Sequence, residues 1–211
     1  MTDHFIHGHF QFSKRYFGER EYLVTLAKKQ SPRALYIGCS DSRVVPELLT
    51  SAAPGDLFVL RNIANHVPTL DHPDASVGAA IDFAVAHLRV PDIIVCGHTG
   101  CGGVRAALDG LVGIGPETPS LREWLTGLLP ATESVKHAGL DPDATFRAAV
   151  EENVLQALAN LLTYPSVRTR LDAGELRLHG WVYDMHSLAL SVFDSERNEF
   201  VDAAKLAPEA A

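Results

Sequence analysis

The chain is organised around the stretch Tyr36-Ile37-Gly38-Cys39-Ser40-Asp41-Ser42-Arg43. It begins as a short apolar run, typical of a parallel strand buried on both faces, and it stops abruptly in a thiol, a carboxylate and a guanidinium. A second apolar run, Ile93-Ile94-Val95, leads into Cys96-Gly97-His98-Thr99-Gly100-Cys101-Gly102-Gly103. Each half therefore places metal-ligating side chains directly after a predicted strand.

Strands and helices alternate outward from these two motifs. Apolar runs predict strands over 34–38, 57–60, 92–97, 176–184 and 188–194. Helical patterns fall over 44–49, 74–88 with Asp74 as N-cap, from Gly102 onward, around 121–129, over 146–162 and over 166–173. The Gly- and Pro-rich stretch 110–143 is interpreted as an excursion that holds one helical piece.

This alternation predicts an α/β fold with a central, mainly parallel sheet flanked by helices. In such sheets ligands bind beyond the carboxyl ends of the strands, near the point where the strand order reverses. Both motifs follow a strand, so the topology is able to bring them together. Residues 3–29 predict two helical segments around Gly18, whose aromatic faces need a cover.

Length and composition narrow the classes of protein. A chain of 211 residues with 46% hydrophobic and 21% charged residues fits one globular domain, 1–211, with residues 1–30 as a helical arm. The net charge of −8 and the lack of a basic cluster argue against nucleic acid as a partner. We find no apolar run long enough to cross a membrane and no secretion signal, so we expect a cytoplasmic protein.

The three cysteines point to a metal. In a reducing compartment an odd set of three is more typical of metal binding than of disulfides. Cys39, His98 and Cys101 together supply two thiolates and one imidazole, a set suited to zinc with one position left open. Cys96 lies inside a predicted strand and is interpreted as a buried core thiol.

Asp41 has two possible tasks beside this metal. It is able to complete the tetrahedron as a fourth ligand, or to accept a proton from a metal-bound water. Arg43 bears on the choice because a guanidinium can clamp a carboxylate through two parallel hydrogen bonds and hold it ionised. Paired with Arg43, Asp41 is less available to zinc. The residues leave both arrangements open.

Together these motifs resemble those of a β-class carbonic anhydrase. The resemblance rests on Cys39-Ser40-Asp41-Ser42-Arg43 and His98-Thr99-Gly100-Cys101-Gly102-Gly103, and it extends to Gln30-Ser31-Pro32-Arg33, Pro54-Gly55-Asp56-Leu57-Phe58-Val59-Leu60-Arg61-Asn62, Glu152-Asn153-Val154 and His179-Gly180-Trp181-Val182-Tyr183-Asp184. Tyr164-Pro165-Ser166-Val167 is most similar to the plant-type branch, which includes bacterial members associated with cyanate metabolism.

The resemblance implies a role for each site residue. One zinc ion per subunit would be held by Cys39, His98 and Cys101, with Asp41 and Arg43 as the catalytic dyad. The residues implied to bind substrate are Gln30 for bicarbonate, Phe58, Ile63 and Phe83 around an apolar pocket for carbon dioxide, and Gly102 through its backbone N–H. Phe83 stands where many relatives carry tyrosine. The resemblance also implies a homodimer or larger homo-oligomer, with the N-terminal arm packing on a partner subunit.

The implied reaction is the reversible hydration of carbon dioxide to bicarbonate by zinc-bound hydroxide that Asp41 orients. In carbonic anhydrases with three histidine ligands the metal lowers the pKa of its water to about 7. Two thiolates neutralise more of the metal's charge, so we expect a less acidic water and an alkaline optimum. His66 and His72 are candidate proton relays, but we interpret each as an ordinary surface histidine.

Three alternatives stay open at this stage. A regulated branch of the family binds bicarbonate outside the catalytic pocket, and Tyr36 replaces the tryptophan found there, although Arg61 and Tyr183 are present. We favour the unregulated type. A same-fold zinc hydrolase of carbon disulfide or carbonyl sulfide would carry the same motifs. A non-catalytic zinc-binding or redox-sensing module would instead have a closed site and no need for Asp41, Arg43 or Gln30.

Overall fold

A computed structural model describes residues 2–15 and 20–206, and it divides the chain into two compact units, Met1–Ser31 and Pro32–Ala211. The first unit contains helices α1 (Asp3–Arg15) and α2 (Arg20–Lys28), which confirms the two predicted helical segments. Gly18, predicted to separate them, lies outside the described residues. On α1 the side chains of Phe5, Ile6, Phe10 and Phe12 are exposed.

The second unit alternates strands and helices as predicted. Its described elements are β1 (Ala34–Cys39), α3 (Pro46–Thr50), β2 (Leu57–Asn62), α4 (Ala75–Asp82) continued by a π-helical turn (Phe83–His87), β3 (Asp92–His98), α5 (Gly102–Leu108), α6 (Pro119–Thr126), α7 (Leu129–Lys136), α8 (Pro142–Leu161), α9 (Pro165–Asp172), β4 (Arg177–Tyr183), β5 (Leu190–Asp194) and β6 (Glu199–Asp202). No helix in the described ranges is long and apolar enough to span a bilayer.

The six strands form one sheet in the order β2-β1-β3-β4-β5-β6. The first four strands are parallel to one another, and β5 and β6 are antiparallel to their neighbours. The mainly parallel α/β sheet flanked by helices is therefore confirmed. The chain runs from β1 to β2 on one side and then crosses to β3 on the other, so the strand order reverses between β1 and β3.

Strand β1 is buried along its whole length and contributes to two cores. Leu35, Ile37 and Cys39 belong to the larger core, and Ala34 and Tyr36 belong to a smaller one on the other face. Successive side chains of a strand point to opposite faces, so a continuous apolar run is what a strand covered on both faces requires. The same alternation places Cys39 on the face of the larger core.

Helix α8 packs closely on β3 and β4 because each strand has a glycine beneath it. A Cβ atom on Gly97 would lie 2.8 Å from Val154 Cγ2, and one on Gly180 would lie 3.0 Å from Leu158 Cδ1. The helix begins at Pro142, earlier than predicted, because the Asp141 carboxylate accepts the N–H groups of residues 143 and 144. The predicted cap Asp74 is confirmed, since its carboxylate accepts the Val77 N–H at 2.9 Å.

Two elements differ from the sequence predictions. The single helical piece expected around 121–129 is wrong, because two helices, α6 and α7, occupy 119–136. Pro130 looks like a helix breaker, but it lies in the first turn of α7, where its missing N–H costs nothing. Strand β6 was not predicted at all. It has four residues, and it pairs with β5 at the edge of the sheet.

Candidate metal centre

Three metal-ligating side chains meet where the strand order reverses. Cys39 ends β1, His98 ends β3, and Cys101 is the residue directly before α5. Their ligand atoms all lie within 4.8 Å of one another, and all three residues are buried. The structure therefore brings together the three residues that the sequence identifies as candidate zinc ligands.

The geometry of these side chains fits a zinc ion. The two sulfur atoms lie 4.0 Å apart. This is close to the separation of about 3.8 Å that two sulfurs have in a tetrahedral site with Zn–S distances of about 2.3 Å. A disulfide would need about 2.05 Å. In the described part of the chain the buried His98 Nε2 has no hydrogen-bond partner. His98 Nδ1 lies 2.9 Å from the Thr99 carbonyl oxygen, so Nδ1 carries the proton and Nε2 presents its lone pair to a metal.

The two thiols lie within hydrogen-bond distance of each other, with their sulfur atoms 4.0 Å apart. A hydrogen bond from Cys101 lowers the pKa of Cys39 to about 4, aided by a weaker contribution from His98 and opposed by burial. The same pairing, reinforced by burial, raises the pKa of Cys101. The pairing therefore favours the thiolate form of Cys39, and the thiolate is the form of cysteine that binds a metal.

Asp41 is paired with Arg43 in this structure. Arg43 Nε donates to Asp41 Oδ1 at 2.9 Å, Arg43 Nη2 donates to Oδ2 at 2.7 Å, and the Arg43 backbone N–H donates to Oδ1 at 3.0 Å. Hydrogen bonding from Arg43 lowers the pKa of Asp41. Asp41 Oδ2 also lies 4.0 Å from His98 Nε2. Of the two arrangements left open by the sequence, the structure has the one in which Arg43 holds both carboxylate oxygens.

Arg61 on the neighbouring strand holds the backbone of the first motif. Its Nε donates to the Cys39 carbonyl at 2.9 Å and its Nη2 donates to the Asp41 carbonyl at 2.6 Å. The register of β1 and β2 sets this up because Gly38 lies opposite Arg61. The sequence singled out Arg61 only for a possible regulatory site, and its backbone contacts depend on a strand pairing that the sequence does not show.

The residues expected around a carbon dioxide pocket lie in two groups. The rings of Phe58 and Phe83 are in contact, with centroids 5.8 Å apart. The Cγ2 atom of Ile63 lies 3.0 Å from where a Cβ on Gly103 would be, next to Gly102 at the first position of α5. Ile63 and Phe83 are 41% and 43% exposed. Gln30 belongs to the Met1–Ser31 unit, and its role stays a prediction.

The interpretation of His66 as a surface histidine is wrong. It is 7% exposed, and its ring packs edge-on against Trp124 at 5.1 Å, beside a cavity of about 680 Å³. Burial lowers its pKa to about 4, so it stays neutral at physiological pH. The segment after β2 folds under α6, which sequence periodicity did not indicate. His72 is exposed, as expected. Cys96 is buried in the smaller core, and burial raises its pKa to about 11.

Comparisons with known proteins agree with this geometry. The family described as carbonic anhydrase matches residues 34–190. The chain is 41% identical to a carbonic anhydrase of Pseudomonas aeruginosa over 95% of its length and 91% of the relative's. It is 44% identical to carbonic anhydrase 1 of Escherichia coli O157:H7, over 94% and 91% of the two chains.

Solved structures give the same result. The β-carbonic anhydrase CcaA superposes with a TM-score of 0.90 and 34% identity, over 99% of this chain and 92% of the other. One of two tetrameric β-carbonic anhydrases from Sordaria macrospora superposes with a TM-score of 0.79 and 30% identity, over 90% and 96% of the two chains. The chain therefore belongs to the β class of the carbonic anhydrases, the lyases that hydrate carbon dioxide.

Proposed function

We propose that this chain hydrates carbon dioxide reversibly at one zinc ion per chain, held by Cys39, His98 and Cys101, with Asp41 and Arg43 as the catalytic dyad. The observation that supports this best is the pairing of Asp41 with Arg43 within 4.0 Å of His98 Nε2, an atom without a hydrogen-bond partner among the described residues. Because Arg43 holds the carboxylate, three protein ligands remain for zinc and one position stays open. A structural zinc module would close that position.

The metal would supply Lewis acidity, which lowers the pKa of a coordinated water and provides a nucleophile near neutral pH. The protein's own side chains would bind the metal and shield it from water. Cys39 and Cys101 bind as thiolates, and His98 binds as a neutral imidazole whose Nδ1 proton is held by the Thr99 carbonyl. All three residues are at most 5% exposed, so the ligand set is shielded from competing water.

Asp41 orients the nucleophile by accepting a hydrogen bond from it. A carboxylate is an acceptor only when it is ionised, and the low pKa that Arg43 imposes keeps Asp41 in that form at working pH. The two parallel hydrogen bonds from Arg43 also fix the plane of the carboxylate. Orientation of this kind gives a rate advantage because the reacting atoms are already aligned.

Phe58, Ile63 and Phe83 form the apolar wall against which carbon dioxide is held. The contact between the Phe58 and Phe83 rings supports the assignment of these two residues, and the assignment of Ile63 rests on resemblance to the family. Gly102 is the first residue of α5, so its N–H has no partner within the helix and is available for an oxygen of the substrate. Gln30 hydrogen-bonds the bicarbonate product. The roles of Gln30 and Gly102 rest on resemblance to the family.

We also propose that the protein acts as a homodimer or larger homo-oligomer in which the N-terminal arm packs on a partner subunit. Two observations support this: a related enzyme is described as tetrameric, and Phe5 and Phe10 on α1 are 70% and 59% exposed. Sedimentation analysis of the wild type and of a Phe5→Ser/Phe10→Ser variant tests it. A wild-type monomer would overturn this part of the proposal.

The function is tested by stopped-flow hydration of carbon dioxide on protein with measured zinc content. Wild type should hydrate carbon dioxide well above buffer, and Cys101→Ser should lose most of its zinc and activity. Cys96→Ser is the matched control because that thiol lies in the other core, and it should keep its zinc. Zinc-loaded wild type that hydrates no faster than buffer would refute the proposal. Sulfide release from carbon disulfide without hydration would instead identify a hydrolase.

A further inference from the structure

The turn that carries His98 and Cys101 is bonded to a second turn that the proposed mechanism does not use. This second turn is the hairpin 184–189 between β4 and β5. The Thr99 N–H donates to the Tyr183 carbonyl at 2.9 Å, which extends the pairing of β3 and β4 by one residue. Beyond that point the two turns are joined by side chains.

Thr99 and Asp184 make this junction. The Thr99 hydroxyl accepts the Met185 N–H at 3.0 Å and donates to Asp184 Oδ1 at 3.4 Å. Asp184 Oδ1 also accepts the N–H groups of His186 and Ser187, at 2.8 and 3.2 Å, which shapes the hairpin turn itself. The hydroxyl of Thr99 is thus both donor and acceptor between the two turns.

The next residue extends the contact. Gly100 has φ +70°, a left-handed conformation that a glycine adopts without strain. A Cβ at this position would lie 3.1 Å from Met185 Cε, so the methionine methyl group packs directly over the glycine. Residues 99 and 100 are therefore held from both the polar and the apolar side by the hairpin.

The carbonyl groups of these two residues face the site. The Thr99 carbonyl accepts the His98 Nδ1 proton at 2.9 Å, and the Gly100 carbonyl lies 3.4 Å from Arg43 Nη2. The Thr99 carbonyl holds the proton on His98 Nδ1, so that Nε2 would be the atom that binds a metal, and the Gly100 carbonyl contacts the arginine of the proposed dyad. Any shift of the peptide units at 99 and 100 moves both.

We propose that Thr99 and Asp184 are positioning residues, which join the 184–189 hairpin to the metal-ligand turn and fix the carbonyls that orient His98 and Arg43. The inference rests on the proposed metal-binding role of His98. Outer-shell groups that orient a metal-ligating histidine commonly change metal affinity by 10- to 100-fold when they are removed. Thr99 acts on His98 through its own backbone, so the effect reaches the metal without any direct contact.

The experiment compares zinc release to a chelating dye from Thr99→Val, Thr99→Ser and wild type. Thr99→Val keeps the shape but removes the hydroxyl, and it should release zinc at least about tenfold faster. Thr99→Ser keeps the hydroxyl and should release zinc within about twofold of the wild-type rate. The visible spectrum of the cobalt-substituted Thr99→Val protein should change as well, whereas that of Thr99→Ser should match wild type.

Thr163→Val is the matched control. The Thr163 hydroxyl has the same bonding pattern, accepting the Leu70 N–H at 3.0 Å and donating to the Asn160 carbonyl at 2.7 Å, but it contacts neither turn. This variant should release zinc at the wild-type rate. If Thr99→Val fails to fold, as judged by circular dichroism, Asp184→Ala takes its place, since alanine removes the acceptor of the Thr99 hydroxyl, and it should also speed zinc release.

Two results would overturn the inference. One is a folded Thr99→Val protein with wild-type zinc release and an unchanged cobalt spectrum. The other is equal loss of zinc from Thr99→Val and Thr163→Val, which would mean general destabilisation. Neither result bears on whether wild type hydrates carbon dioxide. A wild type that binds zinc without hydrating carbon dioxide would refute the proposed function and leave the release rates as a valid test of this inference.

Discussion

In the described part of the chain, bidentate aspartate–arginine pairs lie at opposite ends of the sheet. At the carboxyl ends of the strands Arg43 donates two hydrogen bonds to the Asp41 carboxylate, at 2.9 and 2.7 Å. At the amino ends Arg177 donates two hydrogen bonds to the Asp92 carboxylate, at 2.7 and 2.8 Å. The exposures also match: the arginines are 61% and 70% exposed, and the aspartates 16% and 20%. In both pairs the arginine lowers the pKa of the carboxyl group.

The pairs differ in what lies beside the carboxylate. Asp92 Oδ1 is 2.8 Å from His179 Nε2, so a hydrogen bond satisfies that imidazole. Asp41 Oδ2 is 4.0 Å from His98 Nε2, which has no partner among the described atoms, and two thiols lie behind it. The ion pair alone therefore does not distinguish the two aspartates. The proposal that Asp41 and Arg43 form a catalytic dyad rests instead on the imidazole and the two thiols beside Asp41, a group that could hold a metal.

Replacement of each aspartate by asparagine should give the largest difference between the two pairs. At equal zinc content Asp41→Asn should slow carbon dioxide hydration roughly 10²- to 10⁴-fold, the range for loss of a positioned proton acceptor. Asp92→Asn should stay within about twofold of wild type because it lies at the other end of the sheet. Stopped-flow measurement decides it, and equal losses in the two variants would contradict the assignment of Asp41.

Replacing each arginine by lysine should have a smaller effect. Lysine keeps the charge but cannot make two parallel hydrogen bonds to a carboxylate, so Asp41 would stay ionised and lose its fixed plane. We expect roughly tenfold slower hydration for Arg43→Lys, comparable to other outer-shell changes, and no change for Arg177→Lys. Unchanged hydration by Arg43→Lys would show that the orientation of the carboxylate does not matter.

Lowering the pH should reduce the contribution of both pairs to the stability of the fold. Each aspartate has a folded-state pKa below the unfolded value of about 3.9. Its stabilising contribution is therefore complete above about pH 4 and is lost as pH falls through the folded pKa. Metal-free Asp92→Asn should be less stable than metal-free wild type at neutral pH, and the gap should narrow below about pH 4. Urea midpoints measure this, and a gap that did not depend on pH would contradict the linkage.

The smallest effect concerns two adjacent glycines at the start of α5. A Cβ on Gly103 would lie 3.0 Å from both Ala64 Cβ and Ile63 Cγ2, whereas one on Gly102 would meet no atom of the described residues within 4 Å. Gly103→Ala should cost about 1–3 kcal/mol through overpacking, and Gly102→Ala should be neutral or stabilise by up to about 1 kcal/mol. Equal unfolding midpoints for the two variants would contradict this packing.

The sheet and its two motifs could be predicted because buried parallel strands leave a plain signal. The continuous apolar runs that end at Cys39 and at His98 are typical of parallel strands buried on both faces. The carboxyl ends of such strands lie at the same edge of the sheet, where ligands bind. The candidate metal ligands followed from that edge together with the residue types found there, two cysteines and a histidine. Strand β6 left no such signal, since Glu199–Asp202 is short and half polar.

What could not be predicted depends on contacts between distant residues. Asp92 and Arg177 are 85 positions apart and meet only because β3 pairs with β4. The burial of His66 depends on α6 folding over it, and local periodicity does not report that. The choice of Asp41 between zinc and Arg43 was open because both arrangements satisfy its charge. Thr99 and Asp184 lay inside the quoted motifs, but their contact between the two turns is visible only in the structure.

The proposed active site is tested by measuring the hydration rate as a function of bound zinc. Metal-free protein is titrated with zinc, and bound metal and carbon dioxide hydration are measured on the same samples. We predict that the rate rises in proportion to bound zinc and levels off at one zinc per chain, while Cys101→Ser shows neither the binding nor the rise. A rate that does not follow bound zinc, or one that rises equally in Cys101→Ser, would contradict the claim that Cys39, His98 and Cys101 form the active site.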